Sequence, residues 1–112
     1  MDIEVRSLGQ VKVIKLRGKL SLGDAVDRLK ETLDDLIGSS DTHIVLDLGE
    51  VPMIDSSGIG LLVKSLTSAK QLGGSVKLLN PSRFALQTLK MIGLLKLFDV
   101  FEDQQQAVAS FC

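Results

Sequence analysis

The sequence predicts an α/β fold, in which a mixed sheet of four or five strands carries about four helices packed mainly on it. Its length of 112 residues is typical of one domain, and we assign 1–112 to one domain without linkers or repeats. Hydrophobic residues make up 45% and charged residues 24% of the chain, which is a globular composition. Short apolar runs alternate with segments of helical periodicity, and glycine-containing breaks separate them. This alternation indicates strands joined by helices.

The elements follow in order from the spacing of the apolar residues. Strands are predicted near residues 3–5 and at 11–17, 43–48, 76–79 and 97–101. Helices are predicted over about 24–38, 56–72, 81–92 and from 102 onwards. The turn Leu8-Gly9-Gln10 makes the first two strands a hairpin, and the β-branched run after His43 is typical of a central strand covered by helices.

Capping residues mark where the helices begin and end. Asp24 is a candidate cap of the first helix, and the second helix starts at or near Ser56 and is ended by Gly73-Gly74. Pro81 suits the first turn of the third helix. The acidic pair Glu102-Asp103 opens the fourth, because carboxylates are favourable at a helix N-terminus.

Charge and composition exclude several classes of function. Thirteen basic and fourteen acidic residues give a net charge of -1, so we expect neither nucleic acid nor a membrane as a partner. One Cys and one His cannot build a zinc site or a disulfide; we expect no metal, no cofactor and no specific role for Cys112. The chain has no basic N-terminal segment followed by an apolar run, so we expect a cytoplasmic protein.

The segment best suited to a functional role is Asp55-Ser56-Ser57-Gly58-Ile59-Gly60 at the start of the second helix. A helix N-terminus presents unpaired N–H groups and a partial positive charge. The two glycines remove Cβ bulk there, which lets another protein or a phosphate approach the backbone. The same residues also fit a structural role, since Ser and Asp are common caps and Gly permits close packing of helix on sheet.

The run VPMIDSSGIGLL at 51–62 resembles the motif of bacterial anti-sigma factor antagonists, which are small STAS-domain proteins. The resemblance extends along nearly the whole chain. It includes the segments 16–20, 43–48, 73–74 and 93–98. A STAS-like fold is therefore implied for the whole chain.

The resemblance also implies partner switching. In that family the unphosphorylated antagonist binds an anti-sigma factor that is also a serine kinase, and this frees the sigma factor; a PP2C-type serine phosphatase reverses the kinase's mark. The acceptor is then Ser56, with Asp55, Ser57, Gly58 and Ile59 as the flanking contact surface and Ser57 as the alternative acceptor. On this basis the chain is a substrate of other enzymes, has no catalytic residues of its own and regulates transcription.

One position departs from the family pattern. The family often carries Asp after the Gly-x-Leu element of the loop before the first helix, where this chain has Ser21. The loop is expected beside Ser56 on the partner-binding face, so Ser21 counts among the partner-binding residues. Either the serine alters pairing with the kinase or its nucleotide, or it caps the turn ahead of Asp24.

Two other functions stay open: a STAS module of another signalling or transport complex without sigma control, and a small phosphotransfer enzyme. The second is disfavoured because no Walker-type Gly-Lys-Ser/Thr run is present. Asp47 lacks the acidic pair of a receiver-like magnesium site and is predicted to be structural. His43 has no Ser or Cys partner motif and is predicted to be a solvated or hydrogen-bonded histidine. For Leu94, Leu95 and Leu97 we favour core packing over a contact patch.

Overall fold

The chain forms one mixed sheet with three longer helices on one face and a short helix on the other. The computed structural model describes residues 1–111, so the prediction for Cys112 lies outside them. The strands are β1 (Asp2–Leu8), β2 (Val11–Arg17), β3 (His43–Glu50), β4 (Ser75–Leu79) and β5 (Val100–Phe101). The helices are α1 (Asp24–Gly38), α2 (Ser56–Gln71), α3 (Arg83–Met91) and α4 (Gln104–Ala109), with a 3-10 helix at Leu95–Leu97. The predicted α/β fold is confirmed.

Strand order in the sheet follows chain order, β1-β2-β3-β4-β5. The hairpin pair β1–β2 is antiparallel, and every later pair is parallel. Parallel neighbours need crossover connections, which are right-handed, so successive crossovers in one direction put α1, α2 and α3 on the same face. The main core lies beneath them. Its fully buried members include Ile14, Leu16, Leu29, Leu33, Ile44, Leu46, Leu48, Leu62, Leu78 and Leu89.

Helix α4 covers part of the opposite face over a second, smaller cluster. That cluster consists of Val11, Val13, Val45, Leu79 and Ala107. Lys77 points to this face because side chains alternate along a strand. Its Nζ donates to the Ser110 carbonyl at 3.2 Å and to the Ser110 hydroxyl at 2.8 Å, and lies 4.4 Å from the Phe111 ring centroid. One buried ammonium group therefore attaches the C-terminal segment to the sheet.

Two predicted helix starts were wrong in detail. Residue Gly23, with φ 116°, is the cap position of α1 and makes no side-chain cap bond, so Asp24 is instead the first helical residue. Ser82 caps α3 by accepting a hydrogen bond from the Ala85 amide at 3.2 Å, which leaves Pro81 outside the helix. The Ser82 hydroxyl satisfies an amide in the first turn of the helix, whereas the proline side chain has no hydrogen-bond acceptor.

The region after α3 also differs from the prediction. The last strand is only two residues long, because a 3-10 helix takes up Leu95–Leu97 before the chain reaches the sheet. Core packing holds for Leu94 and Leu95, which are partly buried against the main cluster, whereas Leu97 is 46% exposed. The prediction of core packing was therefore wrong for Leu97.

The topology brings two loops together at one edge of the sheet. The loop 18–23 follows β2 and the segment 51–55 follows β3, and these strands are parallel neighbours. Both therefore leave the sheet at its carboxyl edge, where open α/β sheets usually carry their sites. The start of α2 lies at this edge.

Replacing Lys77 by Met is expected to loosen α4 while leaving the main core intact. Methionine keeps the apolar stem but removes hydrogen bonds from a charged donor, worth about 1.5–3 kcal/mol. Amides of Gln104–Ala109 should then exchange with deuterium about tenfold faster or more, while β3 amides stay unchanged. Lys12→Met, at a half-buried lysine bonded to Ser7, is the matched control and should leave α4 exchange unaltered. Equal α4 exchange rates in wild type and the Lys77 variant would contradict this assignment.

Candidate functional site

The loop before α1 is bonded along its length to the segment before α2. Leu20 donates its amide to the Met53 carbonyl at 3.0 Å, and its own carbonyl accepts from the Asp55 amide at 3.1 Å. Leu20 and Ile54 form an isolated parallel bridge, which is one step of a sheet outside the named strands. Nearer the sheet, the Gly18 amide donates to the Glu50 carbonyl at 3.0 Å. The backbone at the site is thus fixed by main-chain bonds.

The Asp55 carboxylate is the cap of α2 and uses both of its oxygens. Oδ1 accepts from the Gly58 amide at 2.9 Å, and Oδ2 accepts from the Leu22 amide at 2.8 Å. Hydrogen bonds from the amides of Gly58, then Leu22, then Ser57 lower the pKa of the Asp55 carboxyl below its ordinary value. One ionised group therefore joins the helix N-terminus to the neighbouring loop.

Gly58 is required because the Leu20 segment lies against it. A Cβ at this position would stand 2.8 Å from the Leu20 carbonyl oxygen and 2.8 Å from Ile54 Cγ2. Gly60, two residues on, has open space where its Cβ would be. Gly58 thus allows the Leu20 segment to pack against the helix, and Gly60 leaves the outer surface of the first turn without a side chain.

The residues predicted for the site lie together but differ in exposure. Ser56 is the first residue of α2 and is exposed. Asp55, Ser57 and Ser21 are half-buried. Residues Gly58 and Ile59 are buried; Gly58 has no side chain, and the Ile59 side chain, 5% exposed, offers almost no contact area to a partner. Ser56 is thus the hydroxyl of the motif that faces solvent most openly.

The structure also exposes a residue that the sequence analysis left out. Leu22 is 77% exposed although it is a large apolar side chain, and its amide is held by Asp55. It stands between two backbones of positive φ, Gly18 at 113° and Gly23 at 116°. Those glycines were the available signal that the loop turns sharply and presents Leu22 to solvent beside the start of α2.

Groups that could support catalysis are distant from Ser56 or already engaged. His43 is the first residue of β3, whereas α2 and Ser56 follow the end of that strand. Seven residue steps of roughly 3.3 Å therefore separate the backbone of His43 from the carboxyl end of β3, where the site lies. Its ring stacks on Phe111 at 5.0 Å between centroids. The Asp47 carboxylate accepts from the Gly49 amide at 3.1 Å.

Residues 1–111 hold no cluster of His, Cys, Asp and Glu suited to a metal ion. Among the same residues, no helix has the length and apolar character needed to cross a bilayer.

The two glycines of the motif are expected to respond oppositely to alanine. Gly58→Ala should destabilise the protein by about 1–3 kcal/mol, since the backbone of the Leu20 segment must shift. The matched Gly60→Ala should stabilise it by about 0.5–1 kcal/mol, because alanine is the better helix former where space is open. Urea unfolding of the three proteins measures both values. A loss of similar size at both positions would refute the packing role of Gly58.

Stability should depend on the ionisation of Asp55. Because its folded pKa is lowered, the carboxylate's contribution is fully present above the unfolded value, near 3.9, and is lost as pH falls through the folded value. Asp55→Asn leaves one oxygen for two amides and should be less stable than wild type at pH 7. The difference should shrink below about pH 4. Urea unfolding at pH 7 and pH 3 tests this, and a constant difference would argue against it.

Comparison with known proteins places this geometry in context. The STAS domain family model matches residues 2–107. An anti-sigma F factor antagonist of Paenibacillus polymyxa is 26% identical over 109 residues, which cover 96% of this chain and 92% of that protein.

Solved structures show the same fold. The anti-sigma factor antagonist SpoIIAA, unphosphorylated, superposes with a TM-score of 0.85 at 22% identity, covering 97% of this chain and 95% of that one. Phosphorylated SpoIIAA of Bacillus gives 0.78 at 22% identity, with coverages of 97% and 98%. A sulfate transporter family protein of Wolinella succinogenes gives 0.76 at 26% identity, with coverages of 90% and 84%. Since the family model spans nearly all of the chain, the protein belongs to the STAS domain family.

Proposed function

We propose that this protein is an anti-sigma factor antagonist switched by phosphorylation of Ser56. The observation that carries the proposal is the position of Ser56, an exposed hydroxyl on the first residue of a helix whose cap is fixed by Asp55. The 26% identity to an antagonist across almost the whole of both chains supports it. The anti-sigma factor partner is a serine kinase, and a PP2C-type phosphatase restores the free hydroxyl.

In the unphosphorylated state, the partner binds the surface formed by the start of α2 and the loop before α1. Ser56 and Leu22 are the exposed side chains of this surface, while Asp55, Ser57 and Ser21 contribute their half-buried edges. Buried Gly58 and Ile59 act through the backbone shape that they permit. Main-chain hydrogen bonds hold both loops in place before the partner binds, so binding loses little conformational entropy from ordering them.

Phosphorylation changes the charge of this surface without requiring a change of fold. A phosphoserine brings about -1.5 to -2 charge and three acceptor oxygens. The Asp55 carboxylate already occupies the Gly58 and Leu22 amides, so the phosphate adds negative charge beside an existing one. Repulsion, bulk and desolvation then oppose a partner shaped to the neutral serine. A loss of about 3 kcal/mol weakens binding more than a hundredfold.

The proposal makes the protein a substrate and a ligand, and it places the protein in the cytoplasm, where ATP and sigma factors are. His43 lies at the opposite end of β3 from Ser56, so it is not placed to activate this hydroxyl. This agrees with a serine that accepts a phosphate from another enzyme. Ser57, half-buried and second in the helix, is the less accessible acceptor.

A second candidate is a STAS module that docks within a transport or signalling complex without sigma control. The likeness to the sulfate transporter family protein of Wolinella succinogenes favours it, because that chain shares the fold at 26% identity. The same surface would then bind a partner that carries no kinase activity. Phosphorylation by an anti-sigma factor kinase separates the two candidates.

Incubation with the anti-sigma factor kinase of the same organism and Mg-ATP should add one phosphate, mapped to Ser56 by mass spectrometry of peptides. Ser56→Ala should stay unmodified and keep its affinity for the kinase, whereas Ser56→Glu should bind about a hundredfold more weakly or worse. Ser57→Ala is the matched control and should be phosphorylated like wild type. A phosphate mapped to Ser57, or none with a kinase that binds the chain, would overturn the site assignment.

A further inference from the structure

The part of the chain from α3 to β5 carries exposed apolar side chains that the core does not use. Of nine large hydrophobic residues that are exposed among 1–111, five lie between positions 84 and 100. They are Phe84, Met91, Ile92, Leu97 and Val100. Met91 is 80% exposed, and it follows Phe84 by seven residues, which puts both on one side of α3. Contiguous exposed apolar area marks interaction surfaces, and of these five residues Met91 lines the groove described below.

The same segment is basic in a chain that is acidic as a whole. Residues 83–98 contain Arg83, Lys90 and Lys96 and no Asp or Glu, while the chain has a net charge of -1. All three cations are exposed. Within residues 1–111 none of them forms an ion pair with a carboxylate. Their charge is therefore available to a partner.

Apolar and basic residues meet in a groove between α3 and the 3-10 helix. One cavity of about 700 Å³ is lined by Arg83, Leu86, Gln87, Lys90, Met91 and Leu95. A second of about 380 Å³ adjoins it through the shared residues Lys90 and Leu95 and reaches Lys96. We call this pair of cavities the α3 groove. Leucine and methionine side chains line it together with the cations Arg83, Lys90 and Lys96.

We propose that the α3 groove docks an acidic amphipathic helix of a partner protein. An apolar ridge at helical spacing fits an apolar groove, and Glu or Asp beside that ridge would face Arg83, Lys90 and Lys96. Every ionisable residue that lines the two cavities is basic. Charge complementarity therefore requires a partner helix that carries negative charge.

A second copy of this chain does not supply such a ridge. Helix α1 is acidic, with exposed Asp24, Asp27, Glu31 and Asp34, but its apolar residues Leu29 and Leu33 are fully buried in its own core. An anionic membrane is the other occupant that a basic, apolar surface could bind, and vesicles distinguish it from a protein helix.

The α3 groove is separate from the Ser56 surface. Helix α3 begins after the carboxyl end of β4 and runs back along the sheet, so Arg83 lies at the same edge as the start of α2, and Met91 lies toward the opposite edge. The residues that line the groove include none of those assigned to the Ser56 surface. The proposal therefore does not depend on phosphorylation or on sigma control.

The test uses the full chain and a synthetic capped peptide of about four helical turns, with Leu at helical spacing and Glu beside the leucines. A second peptide carries Lys in place of every Glu. NMR titration of the ¹⁵N-labelled protein should show saturable shifts confined to α3 and the 3-10 helix with the acidic peptide only. Absence of saturable shifts at millimolar peptide, shifts elsewhere, or equal binding of the basic peptide would overturn the proposal.

Matched variants locate the binding. Lys90→Glu, in the last turn of α3, should weaken the acidic peptide about tenfold, whereas Lys70→Glu, in the last turn of α2, should not. Met91→Ser should weaken it similarly, whereas Leu72→Ser should not; Leu72 is an apolar residue that is 59% exposed, against 80% for Met91. All four positions are exposed, so folding should be kept; circular dichroism checks this. Equal losses in the control variants would refute the groove.

Sedimentation with lipid vesicles tests whether the α3 groove binds a membrane instead of a protein helix. Vesicles of phosphatidylglycerol and phosphatidylcholine should fail to sediment the protein at physiological salt. Sedimentation that is lost in Lys90→Glu would assign the groove to a lipid surface and overturn the proposal of a protein helix.

Discussion

The site depends on the two hydrogen bonds that the Asp55 carboxylate accepts. One oxygen caps α2 through the Gly58 amide, and the other holds the Leu22 amide of the neighbouring loop. Asparagine, the neutral isostere, offers one acceptor oxygen for these two amides. The carboxylate therefore links the helix start to the neighbouring loop and adds to the main-chain bonds that join the same two segments.

The packing around Gly58 makes this arrangement possible. The Leu20 backbone approaches so closely that a Cβ would stand 2.8 Å from its carbonyl oxygen. Residue Ile59 then turns inward to the core, while Ser56 and Gly60 turn outward. The motif thus separates into an inner part that sets the backbone and an outer part that a partner meets.

Several features were predictable because they depend on local spacing alone. The α/β fold follows from apolar periodicity, and Ser56 at the start of α2 follows from the motif. Others were not. Asp24 resembles a cap in sequence, but Gly23 takes that position through a backbone of φ 116°. Leu97 was expected in the core, yet the chain forms a 3-10 helix over Leu95–Leu97 and leaves this side chain 46% exposed. These outcomes depend on where neighbouring segments lie.

The sequence by itself determined the order of strands and helices, the family and the serine that begins α2, since each is encoded in residues close together in the chain. Only the tertiary structure decided which side chains of the motif face solvent. It alone joined Asp55 to Leu22, 33 positions apart, and exposed Leu22 beside the start of α2. The physical reason is that exposure and side-chain pairing depend on contacts between segments remote in sequence, which no local pattern records.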